Sequence, residues 1–249
     1  MNYFINRKKH TSRGSLLVLA FMLFLVYAPL HISAKNEGEK RAVKIYYSNT
    51  GLKAEGFMAN GEKTGLWKYY DSEGNKIAEG FYTKGIKDGW WLEYYPDGTA
   101  ILYSYHNMGK RAGYWKFFDE SGTLYAEGRF ISDRKTGWWK TYSSAGEVTS
   151  VGQYEKGLKE GFWKHFYDDG TLQSSGDYYR DKKNGWWREY NVQGQLISEG
   201  GYIDGIRNGY WIGYDGQTMV SEGFYEKGIK TGYWKYYNDS GQMARITEY

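Results

Sequence analysis

One short string decides what this chain can fold into. A glycine, an apolar residue and a tryptophan stand together at Gly65-Leu66-Trp67, Gly89-Trp90-Trp91, Gly113-Tyr114-Trp115 and Gly137-Trp138-Trp139. The string returns at Gly161-Phe162-Trp163, Gly185-Trp186-Trp187, Gly209-Tyr210-Trp211 and Gly232-Tyr233-Trp234. The interval is 24 residues six times and 23 once, and all 11 Trp of the protein lie in these strings. A fixed period of this length marks a repeat architecture, in which each small unit buries its apolar surface only against its neighbours.

Other columns keep the same register. Five residues after the first Gly stands an aromatic: Tyr70, Tyr94, Phe118, Tyr142, Phe166, Tyr190, Tyr214 or Tyr237. Nine residues after it stands a glycine, from Gly74 to Gly241, with Gly216 in that role in the shortened seventh repeat. A third glycine column runs Gly56, Gly80, Gly128, Gly152, Gly176, Gly200 and Gly223. A fourth lies four residues before the string, as at Gly61 and Gly157, with Asp133 and Asp181 replacing it twice. Asp tolerates a left-handed backbone better than most side chains, so this slot is expected to need positive φ.

Glycine and Asp between short aromatic and β-branched runs, with 2 Pro in 249 residues, predict strands joined by tight turns. One strand is expected from Gly65 to Tyr70, a turn at Asp71–Gly74, a second strand from Lys76 to Tyr82 and a longer turn over 83–88. The fold class is therefore all-β: an elongated ribbon of tandem antiparallel hairpins with about eight repeats. Residues 43 to 64 read as a degenerate N-terminal cap, since Tyr46-Tyr47 and Gly51 match Tyr69-Tyr70 and Gly74 but Gly-x-Trp is missing. Two strands per repeat at about 4.8 Å each give a ribbon on the order of 75 Å long.

The N-terminus carries a different signal. Arg7, Lys8, Lys9 and Arg13 precede an apolar run from Leu16 to Ala28, followed by Pro29 and small Ala34. This is the order of a secretory signal peptide, and 13 apolar residues are short for a span, which needs about 20. We expect residues 1–34 to be an export signal cleaved after Ala34, 35–42 a charged linker and 43–249 the repeat domain. An uncleaved anchor is the alternative, and it would be the chain's sole membrane contact. The net charge of +4 comes from this segment: the 33 basic residues less those four leave 29, against 29 acids. No anionic partner is implied by the total.

Tyr154-Glu-Lys-Gly157-Leu-Lys-Glu-Gly161-Phe-Trp163, recurring about every 24 residues, resembles the MORN repeat. It is closer to the bacterial variant found in YwqK-like antitoxins. The resemblance spans 43–249 and implies a β-hairpin ribbon used for protein binding, scaffolding or membrane proximity. It also implies, as one alternative, an antitoxin-like binding protein.

Two ladders are candidate functional features. Trp90, Trp138 and Trp186 occur in every second repeat, 48 residues apart, and as exposed rings they could dock a partner or stack on sugars. Core packing is the competing reading. Lys63, Lys87, Arg111, Lys135, Lys159, Lys183, Arg207 and Lys230 lie two before each string and are expected to line one edge. The opposite turns are rich in acids such as Asp71, Asp97, Asp119 and Asp169. Such charges either keep a repetitive sheet soluble or form a linear charge ruler.

Catalysis finds little footing. With no Cys, and with His106 and His165 the His residues beyond the signal, there is no metal-spaced ligand set, no Ser-His-Asp pattern and no phosphate loop. No catalytic, metal or cofactor-binding residues are expected. The sequence reads as an exported, non-enzymatic scaffold for protein partners at the cell envelope, with self-association possible and nucleic acid disfavoured. A cell-wall or carbohydrate-binding module using the aromatic ladder is the alternative.

Overall fold

The computed structural model describes residues 38–249. The expected signal peptide lies outside the described residues. The described part begins with β1 (Arg41–Tyr46), β2 (Leu52–Ala59), β3 (Glu62–Tyr70), β4 (Lys76–Thr83), β5 (Ile86–Tyr94) and β6 (Ala100–Asn107). It continues with β7 (Lys110–Phe118), β8 (Leu124–Ile131), β9 (Arg134–Tyr142), β10 (Val148–Glu155), β11 (Leu158–Phe166) and β12 (Leu172–Tyr179). The last six are β13 (Lys182–Tyr190), β14 (Leu196–Ile203), β15 (Ile206–Asp215), β16 (Thr218–Glu226), β17 (Ile229–Tyr237) and β18 (Met243–Glu248). Every strand pairs antiparallel with its chain neighbours, from β1–β2 to β17–β18, in one 18-stranded sheet. β1 starts inside the stretch read as linker. Among the described residues no helix is long and apolar enough to cross a membrane.

Two kinds of turn alternate. After each odd strand except β15 comes a turn such as Asp71–Asn75, shaped by the Asp71 carboxylate, which accepts the backbone N–H of Glu73 at 2.9 Å and of Asn75 at 2.8 Å. The acid-rich edge is thus partly turn chemistry. After each even strand from β2 to β16 comes a two-residue turn with both residues at positive φ, as in Lys156 (52°) and Gly157 (94°). This is the type I′ geometry that matches strand twist. Asp133 (68°) and Asp181 (67°) hold the same conformation, as expected. Asp181 adds a hydrogen bond, its carboxylate accepting the Lys159 N–H at 2.7 Å.

The tight turns shift the strand limits. The sequence reading began each first strand at the string's glycine, after a six-residue turn. In the structure β3 begins three residues earlier, at Glu62, and Gly65 lies inside it. The glycine is a bend rather than a strand start. Between β2 and β3, Glu55 pairs with Lys68 and Phe57 with Thr64, so Gly56 faces three residues. Such a bulge takes a backbone carbonyl out of the ladder.

The tryptophan fills that place. Trp67 lies over Gly56, and its indole N–H donates to the Phe57 carbonyl at 2.9 Å. All eight repeats repeat this bond, from Trp91 to the Phe81 carbonyl (3.0 Å) through Trp234 to the Phe224 carbonyl (3.0 Å). Each bond is worth on the order of 1 kcal/mol net, and removing a buried ring costs about 3–5 kcal/mol.

These rings are the core of a single-layer sheet. The eight Trp, from Trp67 to Trp234, are buried on one face. One ring stands edge-on between each successive pair: Tyr82 lies 6.3 Å from Trp67 and 5.1 Å from Trp91, and Tyr178 lies 5.9 Å from Trp163 and 5.1 Å from Trp187. His106 and Phe130 take this slot in turn, and Tyr249 closes the series beside Trp234. Edge-to-face contact is the favoured arrangement for such rings. The cap lacks a Trp: Val43 pairs with Gly56 where the other repeats place one.

Candidate functional site

Alternation along each strand separates the Trp column from the residue before it. The Trp face is the inner face and the other the outer face. The eight basic residues of the expected edge lie in the strands, two residues past the tight turn, and they roof the inner face. Lys87 Nζ is 3.8 Å from the centre of the Trp91 ring, Lys135 4.2 Å from Trp139, Arg207 4.2 Å from Trp211 and Lys230 4.0 Å from Trp234. Lys63, Lys159 and Lys183 sit likewise over Trp67, Trp163 and Trp187, whereas Arg111 covers Phe130 at 4.5 Å. Cations over ring faces are worth about 0.5–2 kcal/mol each, which gives this column a structural occupation. Burial pulls the Lys135 and Lys159 ammonium groups below their usual range.

Trp90, Trp138 and Trp186 point the other way. They are 57%, 59% and 43% exposed, and Tyr114 (41%), Phe162 (51%) and Tyr233 (65%) hold the same slot in other repeats. From Trp90 to Tyr233 the outer face therefore carries a row of rings, one per hairpin, spaced about 9.6 Å apart, with Leu66 in the slot of the first repeat.

A row of carboxylates supports that face, and the sequence reading missed it. Glu55, Glu79, Glu127, Glu199 and Glu222 each stand just before the third glycine column. Each accepts the hydroxyl of the Tyr fifteen residues later: Tyr70 (2.9 Å), Tyr94 (2.8 Å), Tyr142 (2.5 Å), Tyr214 (2.8 Å) and Tyr237 (2.7 Å). A sequence signal existed. Where Glu gives way to Tyr103 or Val151, the residue fifteen later is Phe118 or Phe166, although Ser175 keeps Tyr190. Glu199 also accepts the Trp186 indole N–H and the Arg188 guanidinium, both at 3.0 Å. The hydroxyls of Tyr210 and Tyr237 and the Lys235 ammonium hold Glu222 at about 2. Burial and that carboxylate push Tyr210 up to about 12.

Both histidines are packed into the inner-face ring column. His165 lies between Trp163 and Trp187, at 5.9 and 6.2 Å with both interplanar angles 19°, and burial pulls it down to about 4. His106 Nε2 lies 3.5 Å from Ser104 Oγ. Ser104 occupies a glycine slot beneath Trp115, fully buried, and its hydroxyl donates to the Trp91 carbonyl at 3.3 Å. A serine sealed this way cannot meet a substrate. No group of three or more His, Asp or Glu among the described residues is placed to hold a metal.

An open sheet of identical hairpins, with a ring core on one face and rings presented on the other, defines a hairpin-repeat scaffold. Residues 63–84, 111–131 and 230–249 match the family described as the MORN repeat variant, and the chain carries MORN-variant repeats. No curated protein matches. Among solved structures, a TarM variant from S. aureus overlaps 57% of this chain at 13% identity and a TM-score of 0.24. The TcdB2-TccC3 structure overlaps 80% at 13% identity and 0.23, and virginiamycin B lyase from Staphylococcus aureus 84% at 13% and 0.17. The overlap takes in 21% of the TarM chain, 13% of the TcdB2-TccC3 chain and 74% of the lyase. Superpositions this loose carry no argument about function.

Proposed function

We propose that the protein is an exported, non-enzymatic scaffold that docks a protein partner on the outer face of its last three hairpins. The observation that carries this reading is the apolar surface there. Ile203, Ile206, Phe224, Ile229 and Tyr233 are all exposed, Ile229 at 73%, and Ile203 pairs with Ile206 across the turn. A patch of this kind on a well-formed surface marks an interaction site. Export rests on the basic and apolar order of residues 1–34.

The test is a photo-crosslinking residue placed at Ile229 or Tyr233 of the full chain in the native cell. A discrete adduct with an envelope protein is expected, absent when the same group replaces Lys63 on the inner face. Equal adducts from both faces, or none, would overturn the docking surface. Recovery of the full-length chain from the cytoplasm would overturn export.

A further inference from the structure

The outer face is not uniform along its length. In two repeats the outer ring leans on another aromatic, Trp90 on Tyr105 at 5.1 Å and half-buried Tyr210 on Phe224 at 5.3 Å, while the exposed Tyr233 of the last repeat has Glu248 opposite it. In the four repeats between, Tyr114, Trp138, Phe162 and Trp186 have no aromatic ring packed on them among the described residues. Their cross-strand partners are instead Arg129, Gln153, Asp177 and Gly201. Arg129, Gln153 and Asp177 thus place hydrogen-bonding side chains beside three of these exposed rings, and Gly201 places none beside Trp186.

Lys116, Lys140, Lys164 and Arg188 each lie two residues beyond a ring, on the same face and within about 7 Å along the strand. Lys116 and Arg188 are bound to Glu127 and Glu199. On the following strand Lys140 and Lys164 face Val151 and Ser175 where four other repeats place Glu; Lys140 also stands opposite Glu127 on the preceding strand, and neither lysine makes an ion pair among the described residues. Arg129 is also free of one. Against these three stand Asp177, which is likewise unpaired, and Glu160, which accepts the Arg180 N–H at 3.1 Å. The stretch is a row of exposed rings alternating with cations, three of which make no ion pair among the described residues.

We propose that Tyr114, Trp138, Phe162 and Trp186, with Arg129, Lys140 and Lys164, bind a linear acidic polysaccharide whose sugars carry a carboxylate on every second ring. The ring spacing of about 9.6 Å is a length that two β-linked pyranose units also span, so each repeat meets the same face of the polymer. One sugar of each pair stacks on an aromatic, and the charged sugar meets the cation. Nucleic acid fits worse. Bases stack about 3.4 Å apart along a strand, nearly three times closer than these rings. The proposal uses a different stretch from the protein-docking surface and stands independently of it.

The test is calorimetric titration of the full chain with an octasaccharide of alternating glucuronate and N-acetylglucosamine. Saturable binding is expected, weakened by salt. Trp138→Ala and the pair Lys140→Gln, Lys164→Gln should each weaken it at least tenfold, with the circular dichroism spectrum and Tm unchanged. Trp90→Ala should leave it as it was. An uncharged β-1,4-glucose octasaccharide, poly-glutamate and oligo-thymidylate should bind at least tenfold more weakly. Absence of binding, equal binding of any of these three, or full affinity in the variants would overturn the proposal.

Discussion

Trp163 lies flat over Gly152, so that a Cβ added to Gly152 would come within 2.1 Å of the indole Cδ2. Each repeat is built on this contact: a missing side chain on one strand is the seat for the largest side chain on the next. Gly152→Ala should destabilise the fold by about 1–3 kcal/mol, the usual cost of overpacking. Ser104 shows how a Cβ is accommodated: Trp115 above it is the most exposed of the eight, at 5%, and its indole also donates to Ala112. Urea titration of Gly152→Ala, Trp163→Leu and the double variant checks the point. The double variant should be more stable than the sum of the two single losses predicts.

The tight turns predict a residue-specific tolerance. Gly157 lies at φ 94°, in a slot that Asp fills at positions 133 and 181. Gly157→Asp should cost under about 1 kcal/mol, and Gly157→Val more, because a β-branched side chain is strained at positive φ. Thermal melts of the two variants rank them, and equal losses would remove the argument.

The Tyr–Glu row should make stability fall at both ends of the pH scale. Glu222 titrates at about 2 in the fold against an ordinary 4.5, so its contribution is complete above about pH 4.5 and is lost as pH falls toward 2. Tyr210, pushed up from 10.0 to about 12, contributes below pH 10 and loses its part as pH rises toward 12. Glu222→Gln should flatten both limbs in urea midpoints measured across pH.

His165 adds a separate acid-sensitive step. Its folded value of about 4 lies below the ordinary 6.5, so the unfolded chain binds the proton first. Stability is full above pH 6.5, declines as pH falls from 6.5 to about 4, and then levels. His165→Phe keeps a ring between Trp163 and Trp187 and should abolish that slope. An unchanged slope in this variant would place the effect elsewhere.

Much of the fold was legible because periodicity is a one-dimensional property. The Gly-x-Trp interval, the Asp residues in a glycine slot and the missing Trp of the cap each announced a local geometry that the structure contains. Strand limits were less legible. Nothing in Gly65 by itself distinguishes a strand start from a bend inside one, since both favour a glycine at positive φ. The Glu column went unread because its partner lies fifteen residues away on the neighbouring strand, a pairing visible only once the bulge sets the register.

The sequence by itself determined the unit, its number of copies and the alternation that divides Trp91 from Trp90. Those follow from spacing and backbone preference within one hairpin. Tertiary structure decided which ring column is core and which is surface. Both columns are aromatic, and only the bulge at the third glycine, with a free carbonyl for the indole N–H, gives one of them a seat. It also decided that Lys63 and its seven counterparts roof that core, because the bend at the string's glycine brings each cation back over a ring.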